Sequence, residues 1–252
     1  MTDLNGRRII VTGGASGMGE GLVRAFSDRG ARVISLDVNE PAGARIAAEA
    51  GAGFVTCDVS EEESVREAFA VATAELDGLD VLVNAAGIAP SASGSDTGAD
   101  LWNRVMAVNA TGTFLTNVAA FAHLRDQGGR IINFSSAGGI VGYPGKAAYA
   151  AAKGAVLAWN RTIAVEWARY SITVNAMAPL IWTSMYDATR ASMAPDALAE
   201  HDETMRGMIP LGGRLGDIAS DLVPVVEFIA GDGSRFMTGQ IFAVDGGCTM
   251  VR

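Results

Sequence analysis

Near its start the chain reads Ile9-Ile10-Val11-Thr12-Gly13-Gly14-Ala15-Ser16-Gly17-Met18-Gly19, a short apolar segment that runs into a glycine-rich turn. A helical pattern follows over residues 19–29. A strand, a glycine-rich turn and a helix in this order form a loop that binds the diphosphate of a dinucleotide. Glycines permit positive φ angles and a close backbone approach, and the start of the helix offers unpaired N–H groups. We therefore predict a phosphate-binding loop with contacts from Gly13, Ser16, Gly17, Met18 and Gly19, although plain packing also produces such turns.

Short apolar segments of the same kind recur along the chain. The predicted strands are residues 7–12, 32–36, 53–57, 81–84, 130–134, 173–176 and 241–244. Each is a nearly continuous apolar run, as expected for a parallel sheet that is covered on both faces. Helical stretches such as residues 61–76 separate them. The alternation predicts one α/β domain over residues 1–252, a Rossmann fold with a doubly wound, seven-stranded parallel sheet.

Composition narrows the classes of protein that need considering. The 252 residues include 31 glycines, 49% are hydrophobic and 19% are charged, which suits one domain with a large core and excludes a disordered chain. The formal net charge of −9, without a dense basic cluster, argues against binding to nucleic acid or to an anionic membrane. Residues 105–122 lack charges but contain Asn109 and Asn117, which favours a buried helix over a membrane span.

The sequence offers few residues for disulfide bonds or metal binding, and its first residues do not suggest an export signal. Cys57 and Cys248 are too few for a disulfide framework and lack metal spacing, and His123 and His201 stand alone, so we expect no metal. Residues 1–6 are polar and do not form a signal peptide. We therefore expect a cytoplasmic, soluble protein.

The second predicted strand indicates which dinucleotide is bound. It ends at Asp37, 18 residues beyond Gly19, where a carboxylate accepts the ribose hydroxyls of the adenosine and repels a 2′-phosphate. The positions at which a basic residue would favour NADP carry Ser16, Met18 and Val38. These residues predict a preference for NAD over NADP.

Two further strand ends extend the predicted cofactor site. Asp58 and Val59 follow the third strand, and Asn84-Ala85-Ala86-Gly87 ends the fourth, where small residues allow a flat ring to lie against the backbone. We place Gly87 near the adenosine side. Asp58 has a second interpretation as the N-cap of the helix that follows.

Further along, Tyr149-Ala150-Ala151-Ala152-Lys153 comes after a strand that ends in Asn133-Phe134-Ser135-Ser136. Together with the glycine loop and the other strand ends, this pattern resembles the short-chain dehydrogenase/reductase family. The resemblance covers residues 12–247, including the final Val244-Asp245-Gly246-Gly247. It implies an NAD-dependent oxidoreductase that interconverts a secondary alcohol and a ketone.

The resemblance also assigns catalytic roles. Tyr149 and Lys153 are four residues apart and share one helix face, and a neighbouring ammonium and a nicotinamide cation would lower the pKa of the phenol so that it acts as general acid/base. Lys153 is also expected at the nicotinamide ribose. Ser136, 13 residues before Tyr149, would bind the substrate oxygen, with Ser135 as second choice. Asn109 would bind a water in a proton relay through a helix irregularity, although its residue type alone suggests a satisfied core amide.

One segment departs from the family pattern. After the sixth strand the family has Pro-Gly, whereas this chain reads Pro179-Leu180-Ile181-Trp182-Thr183-Ser184. Pro179, Ile181 and Thr183 are still expected at the nicotinamide carboxamide, with Ser184 as a possible substitute for Thr183. The missing glycine would move either the nicotinamide or the segment that follows.

That following segment, residues 183–210, breaks the strand–helix alternation and is predicted to be a helical flap over the substrate. Its apolar side chains suggest an alicyclic, terpenoid or steroid-like alcohol, while Asp187, Arg190 and His201 leave a polyol open. Trp182 is assigned equally to substrate stacking and to packing, and Trp159 to packing or a subunit contact. The resemblance further implies a homotetramer, with a dimer as the alternative, built through the last strand and the helices that carry Asn109 and Tyr149.

Two other functions stay open. An NADPH-dependent 3-ketoacyl reductase acting on a carrier protein would need a basic docking surface, for which Arg130 and Arg169 are thin support. A catalytically silent NAD(H)-binding regulator is the alternative from a different class, against which the complete catalytic set argues. A Ser-His-Asp hydrolase is excluded because neither histidine lies in a suitable motif.

Overall fold

The strands and their order follow the prediction. The computed structural model describes residues 4–250. Seven parallel strands form one sheet in the order β3-β2-β1-β4-β5-β6-β7, which confirms the doubly wound α/β fold. They are β1 (Arg8–Thr12), β2 (Arg32–Asp37), β3 (Gly53–Thr56), β4 (Val81–Asn84), β5 (Gly129–Phe134), β6 (Ile172–Pro179) and β7 (Ile241–Val244). Residues 1–3, which belong to the segment 1–6 expected not to be a signal peptide, lie outside the described residues. Residues 251–252, the end of the predicted domain 1–252, also lie outside them.

Helices connect the strands on both faces of the sheet. They are α1 (Gly17–Asp28), α2 (Glu40–Ala50), α3 (Glu62–Leu76), α4 (Ala99–Met106), α5 (Gly112–Leu124), α6 (Gly138–Val141), α7 (Ala147–Trp167), α8 (Ser184–Ala191), α9 (Pro195–Met208) and α10 (Val223–Ala230). Short 3₁₀ turns cover Ala168–Tyr170 and Asp232–Ser234, and π-helical turns cover Ala107–Thr111 and Ile218–Leu222.

The largest boundary error concerns β6. The prediction ended this strand at Ala176, but it continues to Pro179 because its last residues pair with β7, as Pro179 does with Val244. Pairing with a strand more than sixty residues away leaves no local signal in the sequence. Helix α1 likewise begins at Gly17, two residues earlier than predicted.

Two apolar cores flank the sheet because neighbouring residues of a strand point to opposite faces. On one face Ile10 and Leu82 pack among residues of α3, α5 and α7, with Phe69 as one large buried partner. On the other face Ile9 and Val83 pack against α1 and α10. Helices therefore cover both faces, as the apolar runs of the strands predicted.

One helical stretch in the described part of the chain, Ala99–Leu124, is long and apolar enough by length and composition to cross a membrane. Its buried side nevertheless carries Asn109, Thr116 and Asn117, whose polar groups bond to neighbouring protein atoms. In this structure the stretch packs its polar side against the rest of the fold, as expected for the buried helix that the asparagines favoured.

Candidate active site

The candidate site lies at the carboxyl edge of the central strands. Strands β1 and β4 are neighbours in the sheet. The chain continues from β1 to β2 on one side of this pair and from β4 to β5 on the other side. This reversal opens the crevice in which doubly wound sheets bind ligands. Thr12, Asn84, Phe134 and Pro179 end four of the strands at this edge.

The glycines of the first turn are required by close backbone contacts. Gly13 has φ +73°, and a Cβ there would lie 2.7 Å from Cα of Ala86. A Cβ on Gly19 would lie 2.1 Å from the carbonyl oxygen of Gly13. Neither position accepts a side chain, so the loop folds tightly against the end of β4. This shape fits a cradle for a diphosphate.

The start of α1 is open toward the segment that follows β6. Ser16 precedes the helix but makes no capping bond with its side chain, so the first N–H groups of Gly17, Met18 and Gly19 have no intrahelical acceptor. A Cβ on Gly17 would meet Thr183 at 3.9 Å. An anion bound at this helix start would therefore lie close to Thr183.

Asp37 and Val38 stand where β2 leaves the sheet. One carboxylate oxygen of Asp37 accepts a hydrogen bond from the backbone N–H of Ala15 at 3.0 Å, and the other accepts from that of Asn39 at 2.9 Å. Asp37 thus connects the glycine loop to the next turn, a role that the sequence did not reveal. Among residues 4–250 no Lys or Arg pairs with it, and Val38 is exposed.

The ends of β3 and β4 meet beside the loop. Val59, Asn84 and Ala86 line one small cavity with Thr12 and Gly112. Asp58 accepts hydrogen bonds from the backbone and hydroxyl of Ser60, but Glu61 is the N-cap residue of α3, so the N-cap interpretation of Asp58 is wrong. The hydrogen bonds of Asp58 stabilise a turn over residues 58–60, directly before the N-cap residue Glu61.

Gly87 lies elsewhere than predicted. A Cβ on this residue would be 2.6 Å from Oδ1 of Asn109 and 3.4 Å from Nζ of Lys153. The residue therefore borders the catalytic groups rather than the adenosine side. Ala85 and Ala86 contact the glycine loop, whereas the next residue, Gly87, contacts the catalytic groups. Because these residues are adjacent in the chain, spacing alone could not assign Gly87 to one place or the other.

Asn109 occupies the π-helical turn between α4 and α5, so the predicted helix irregularity is present. Its amide donates to the carbonyls of Ile88 at 2.9 Å and Val105 at 3.0 Å, and its oxygen accepts from the N–H of Ile88 at 3.2 Å. The side chain is completely buried and fully bonded. It therefore fixes the loop after β4 against the helix.

Lys153 points from α7 to the end of β5. Its buried ammonium donates to the carbonyl of Phe134 at 2.7 Å and lies 5.8 Å from the centre of the Tyr149 ring. Burial lowers the pKa of Lys153 to about 8. Ser135 is committed to the helix, because its hydroxyl donates to the carbonyl of Lys153 at 2.9 Å. Because the Ser135 hydroxyl is engaged in this way, Ser136 stays the first choice for the serine that binds the substrate oxygen.

Tyr149 and Ser136 complete the group. The Ser136 hydroxyl accepts a hydrogen bond from the N–H of Gly138 at 3.1 Å, and Ser136 is the neighbour that favours the ionised form of Tyr149. Burial raises the pKa of Tyr149, and the contact with Ser136 only partly offsets this. The neighbouring residues alone therefore do not produce the lowered pKa that the sequence predicted for Tyr149.

A chain of buried amides supports these groups and was missed by the sequence analysis. Asn84 and Asn117 each donate to Oδ1 of Asn133 at 2.9 Å, and Asn133 reaches Asn160 at 3.3 Å. The network joins β4 and β5 to α5 and α7. Asparagines within otherwise apolar strand segments, such as Asn84 and Asn133, were the available signal, since a buried amide needs partners.

The segment after β6 is held on two sides. The N–H of Leu180 donates to Val244, and the N–H of Trp182 donates to Gly216 at 2.8 Å. The Ile181 side chain is buried in the core, so only its backbone could contact a ligand. The hydroxyl of Thr183 accepts from the N–H of Tyr186 and thereby caps α8.

The predicted flap region consists of two helices, α8 and α9, neither of which contains a buried residue. Tyr186 bonds to Nε2 of His201 at 2.8 Å, and Arg190 pairs with Asp202, so both contacts join α8 to α9. The indole N–H of Trp182 donates to Asp187 at 2.8 Å. The three polar residues that suggested a polyol substrate are thus each bonded to another side chain of this region: Asp187 to Trp182, Arg190 to Asp202 and His201 to Tyr186.

The two tryptophans with open assignments both have packing partners. Trp182 meets Tyr186 edge-on, and the Arg190 guanidinium lies 5.0 Å from its ring centre. Trp159 packs against Phe114 and Trp167, which confirms packing as its role. Trp182 remains 42% exposed, so one side of its ring is open.

Comparison with known proteins identifies the family of the chain. The family model described as Enoyl-(Acyl carrier protein) reductase matches residues 13–249. The chain belongs to the short-chain dehydrogenase/reductase family. Its fold is also that of a solved structure, a putative short-chain alcohol dehydrogenase from Sinorhizobium meliloti 1021, with a TM-score of 0.89 and 32% identity over 98% of this chain and 97% of the other.

Similar curated proteins act on hydroxyl compounds. The chain is 36% identical to 2-(S)-hydroxypropyl-CoM dehydrogenase 3 of Xanthobacter autotrophicus, over 96% of each chain. It is 35% identical to L-fucose dehydrogenase of Bos taurus, over 97% of this chain and 90% of the other. The chain is therefore an oxidoreductase of a family whose similar members are dehydrogenases.

Proposed function

We propose that the protein is an NAD-dependent dehydrogenase that interconverts a secondary alcohol and the corresponding ketone. The observation that carries the proposal is the meeting of Ser136, Tyr149 and Lys153 at the end of β5, beside Gly87 and Asn109. The hydroxyl-bearing substrates named for the similar dehydrogenases support the same reaction.

The residues present fit a dinucleotide. The glycine loop has no room for side chains at Gly13 and Gly19, and the open start of α1 suits a diphosphate. Asp37 at the end of β2 suits two ribose hydroxyls and disfavours a 2′-phosphate. Asp58, Val59, Pro179, Ile181 and Thr183 would complete the cofactor contacts. When bound, the nicotinamide accepts a hydride from the alcohol carbon or returns it to the ketone.

Side chains of the protein transfer the proton between the substrate hydroxyl and solvent. The Ser136 hydroxyl orients the substrate oxygen and stabilises negative charge that develops on it. Tyr149 removes the hydroxyl proton during oxidation and returns it during reduction. Lys153 supplies positive charge beside the phenol, and a water held at Asn109 would connect the ammonium to solvent.

The cofactor assignment is tested through Asp37. We expect reduction of NAD⁺ by a panel of cyclic, terpenoid, steroid and polyol alcohols at alkaline pH, with kcat/KM for NAD⁺ about 100-fold above that for NADP⁺. Asp37→Ala should lower the ratio about 100-fold, because charged hydrogen bonds to the ribose are lost. Glu40→Ala, which removes an exposed carboxylate at the start of α2, is the control. An unchanged ratio in Asp37→Ala would show that the assignment is wrong.

The two alternative functions give other results. A carrier-protein ketoacyl reductase should prefer NADPH and reduce an acetoacetyl thioester. Its docking surface has little support, since Arg130 is buried and paired with the exposed Asp232, and Arg169 stacks on Tyr170. A silent regulator should bind NADH without turnover of any alcohol in the panel.

We further propose a homotetramer in the cytoplasm, with a dimer as the alternative. Large apolar side chains are exposed on α5 and α7, including Phe114, Val118 and Val165, and Phe236 is fully exposed shortly before β7. Two free cysteines suit a reducing compartment. Light scattering after size exclusion tests the assembly, and Val165→Asp should shift it toward smaller species.

A further inference from the structure

Lys146 lies close to the catalytic group, at the start of the helix that carries Tyr149 and Lys153. It is the N-cap residue of α7, three residues before Tyr149, and its ammonium donates to the carbonyl of Ala89. Ala89 follows Ile88, which is bonded to Asn109. The loop after β4 therefore runs from the catalytic residues directly to Lys146.

A second contact keeps Lys146 in this place. Ala92 pairs with Lys146 in an isolated parallel bridge, and the N–H of Ala92 donates to the carbonyl of Gly145 at 2.9 Å. The loop after β4 and the loop before α7 are thus joined at the backbone. The lysine is positioned by the fold and is not a freely moving surface side chain.

The charge of Lys146 is not neutralised. Within residues 4–250 it forms no ion pair with a carboxylate, although the chain as a whole carries 28 acidic residues. It is half-buried, and burial lowers its pKa. The carbonyl of Ala89 uses one of the three N–H donors of the ammonium, which leaves two for another partner.

The other cations near the site are already engaged. Lys153, the second of the two lysines in the sequence, is bonded to Phe134 and belongs to the catalytic group. Arg190 on α8 forms its ion pair with Asp202. Lys146 is therefore, among these three cations, the one that neither belongs to the catalytic group nor pairs with a carboxylate within residues 4–250. A partly desolvated ammonium gains most from an anion.

We propose that Lys146 binds an anionic group of the substrate, so that the preferred secondary alcohol carries a carboxylate or sulfonate. This inference rests on the proposed dehydrogenase function. The anion would be held at the joined loops, while the hydroxyl that reacts lies one helical turn further along at Ser136 and Tyr149. The position makes Lys146 a specificity-determining residue and not a catalytic one.

Matched substrate pairs test the proposal. Oxidation rates are compared for 3-hydroxybutyrate and 3-hydroxybutyramide, and for 3-hydroxycyclohexanecarboxylate and its amide. We expect at least one acid to exceed its amide about tenfold or more in kcat/KM. Lys146→Met should lower kcat/KM for that acid about 30-fold, mainly through KM, and change that of the amide less than threefold. Lys146→Arg should retain most of the preference.

A charge-matched control and a binding measurement separate the possible causes. Arg66→Met removes an exposed positive charge from α3 and should leave the acid-to-amide ratio unchanged. Calorimetric titration of the NADH-loaded enzyme with cyclohexanecarboxylate and cyclohexanecarboxamide needs no turnover. The acid should bind the parent protein about tenfold more tightly than Lys146→Met, and the amide should bind both equally.

Several outcomes would overturn the proposal. Equal losses for acid and amide in Lys146→Met would show that the lysine only positions Tyr149 through the loop contact. Absence of any acid preference, in turnover and in binding, would also refute it. Failure of all alcohols to be oxidised would instead refute the proposed function, and the binding titration would still decide on Lys146.

Discussion

The catalytic floor, formed by Asn109, Ser136, Tyr149 and Lys153, and the flap helices α8 and α9 lie at the same edge of the sheet but are built differently. In the floor, Asn109 and Lys153 are at most 4% exposed and bond to backbone carbonyls of the surrounding loops and strands. In the flap helices no residue is buried, and side-chain pairs such as Tyr186 with His201 join one helix to the other.

The difference separates two tasks. Groups that move a proton need fixed geometry, which burial and backbone hydrogen bonds supply. A surface segment without buried residues, held by a few partly exposed side-chain pairs, has little net stabilisation and opens at low cost. We therefore expect changes in the floor to act on kcat and changes in the flap helices to act on KM.

The largest effect is expected from Tyr149→Phe. Loss of the phenol removes the general acid/base, so kcat should fall about 1000-fold or more, within the range known for such groups. NADH binding, followed by fluorescence titration, should stay within about threefold of the parent protein. Substantial remaining turnover would exclude Tyr149 as the proton donor and would remove the main distinction between floor and flap.

Next in size is Ser136→Ala, compared with Ser135→Ala. The first should lower kcat about 100-fold because a donor to the substrate oxygen is lost. The second removes a bond to the carbonyl of Lys153, so it should cost about 1 kcal/mol in the free energy of unfolding and less than tenfold in kcat. Steady-state kinetics and urea unfolding check both variants, and a reversed order would reassign the serine.

Lys153 gives a pH-dependent effect on stability. Its pKa is lowered to about 8 in the folded protein and returns to 10.5 on unfolding. Between pH 8 and 10.5 the unfolded chain binds more protons, so this group makes the cofactor-free protein more stable as pH rises, by about 3 kcal/mol over the whole interval. Below pH 8 the buried charge destabilises the fold by the full amount.

Comparison of Lys153→Met with the parent, both in a Tyr149→Phe background, isolates that effect, because the neighbouring phenol is absent and the contribution of the distant Cys57 is expected to cancel. The difference in unfolding free energy between parent and variant should change steadily from pH 8 to 10. Arg66→Met, whose guanidinium stays charged throughout, should show a constant difference from the parent. A constant difference for Lys153→Met as well would contradict the burial of an uncompensated ammonium.

The smallest effect is expected in the flap helices. Arg190→Gln breaks the pair with Asp202 and removes the cation from the Trp182 ring. We expect KM for the alcohol to rise about three- to tenfold, with kcat within twofold of the parent. Arg206→Gln is the matched control, because its pair with Glu203 lies within α9 alone. A large fall in kcat for Arg190→Gln would mean that flap and floor are not independent.

Local patterns in the sequence were enough for much of the site. The glycine turn, the position of Asp37 and the spacing of Tyr149 and Lys153 depend on residues close in the chain, and the structure places all of them at one edge of the sheet. The irregularity at Asn109 was also predicted. The length of β6, the surroundings of Gly87 and the bonds of Asn133 were not, because each depends on a distant partner.

By itself the sequence determined the fold class, the phosphate-binding turn and the residues expected to react, since periodicity and short spacings encode them. Only the tertiary structure decided how charges are compensated. Arg190 and Lys146 look alike as isolated cations, yet one is paired with Asp202 and the other has only the carbonyl of Ala89. The pair of Arg190 with Asp202 joins two helices that folding brings together, so the local pattern of the sequence does not reveal it.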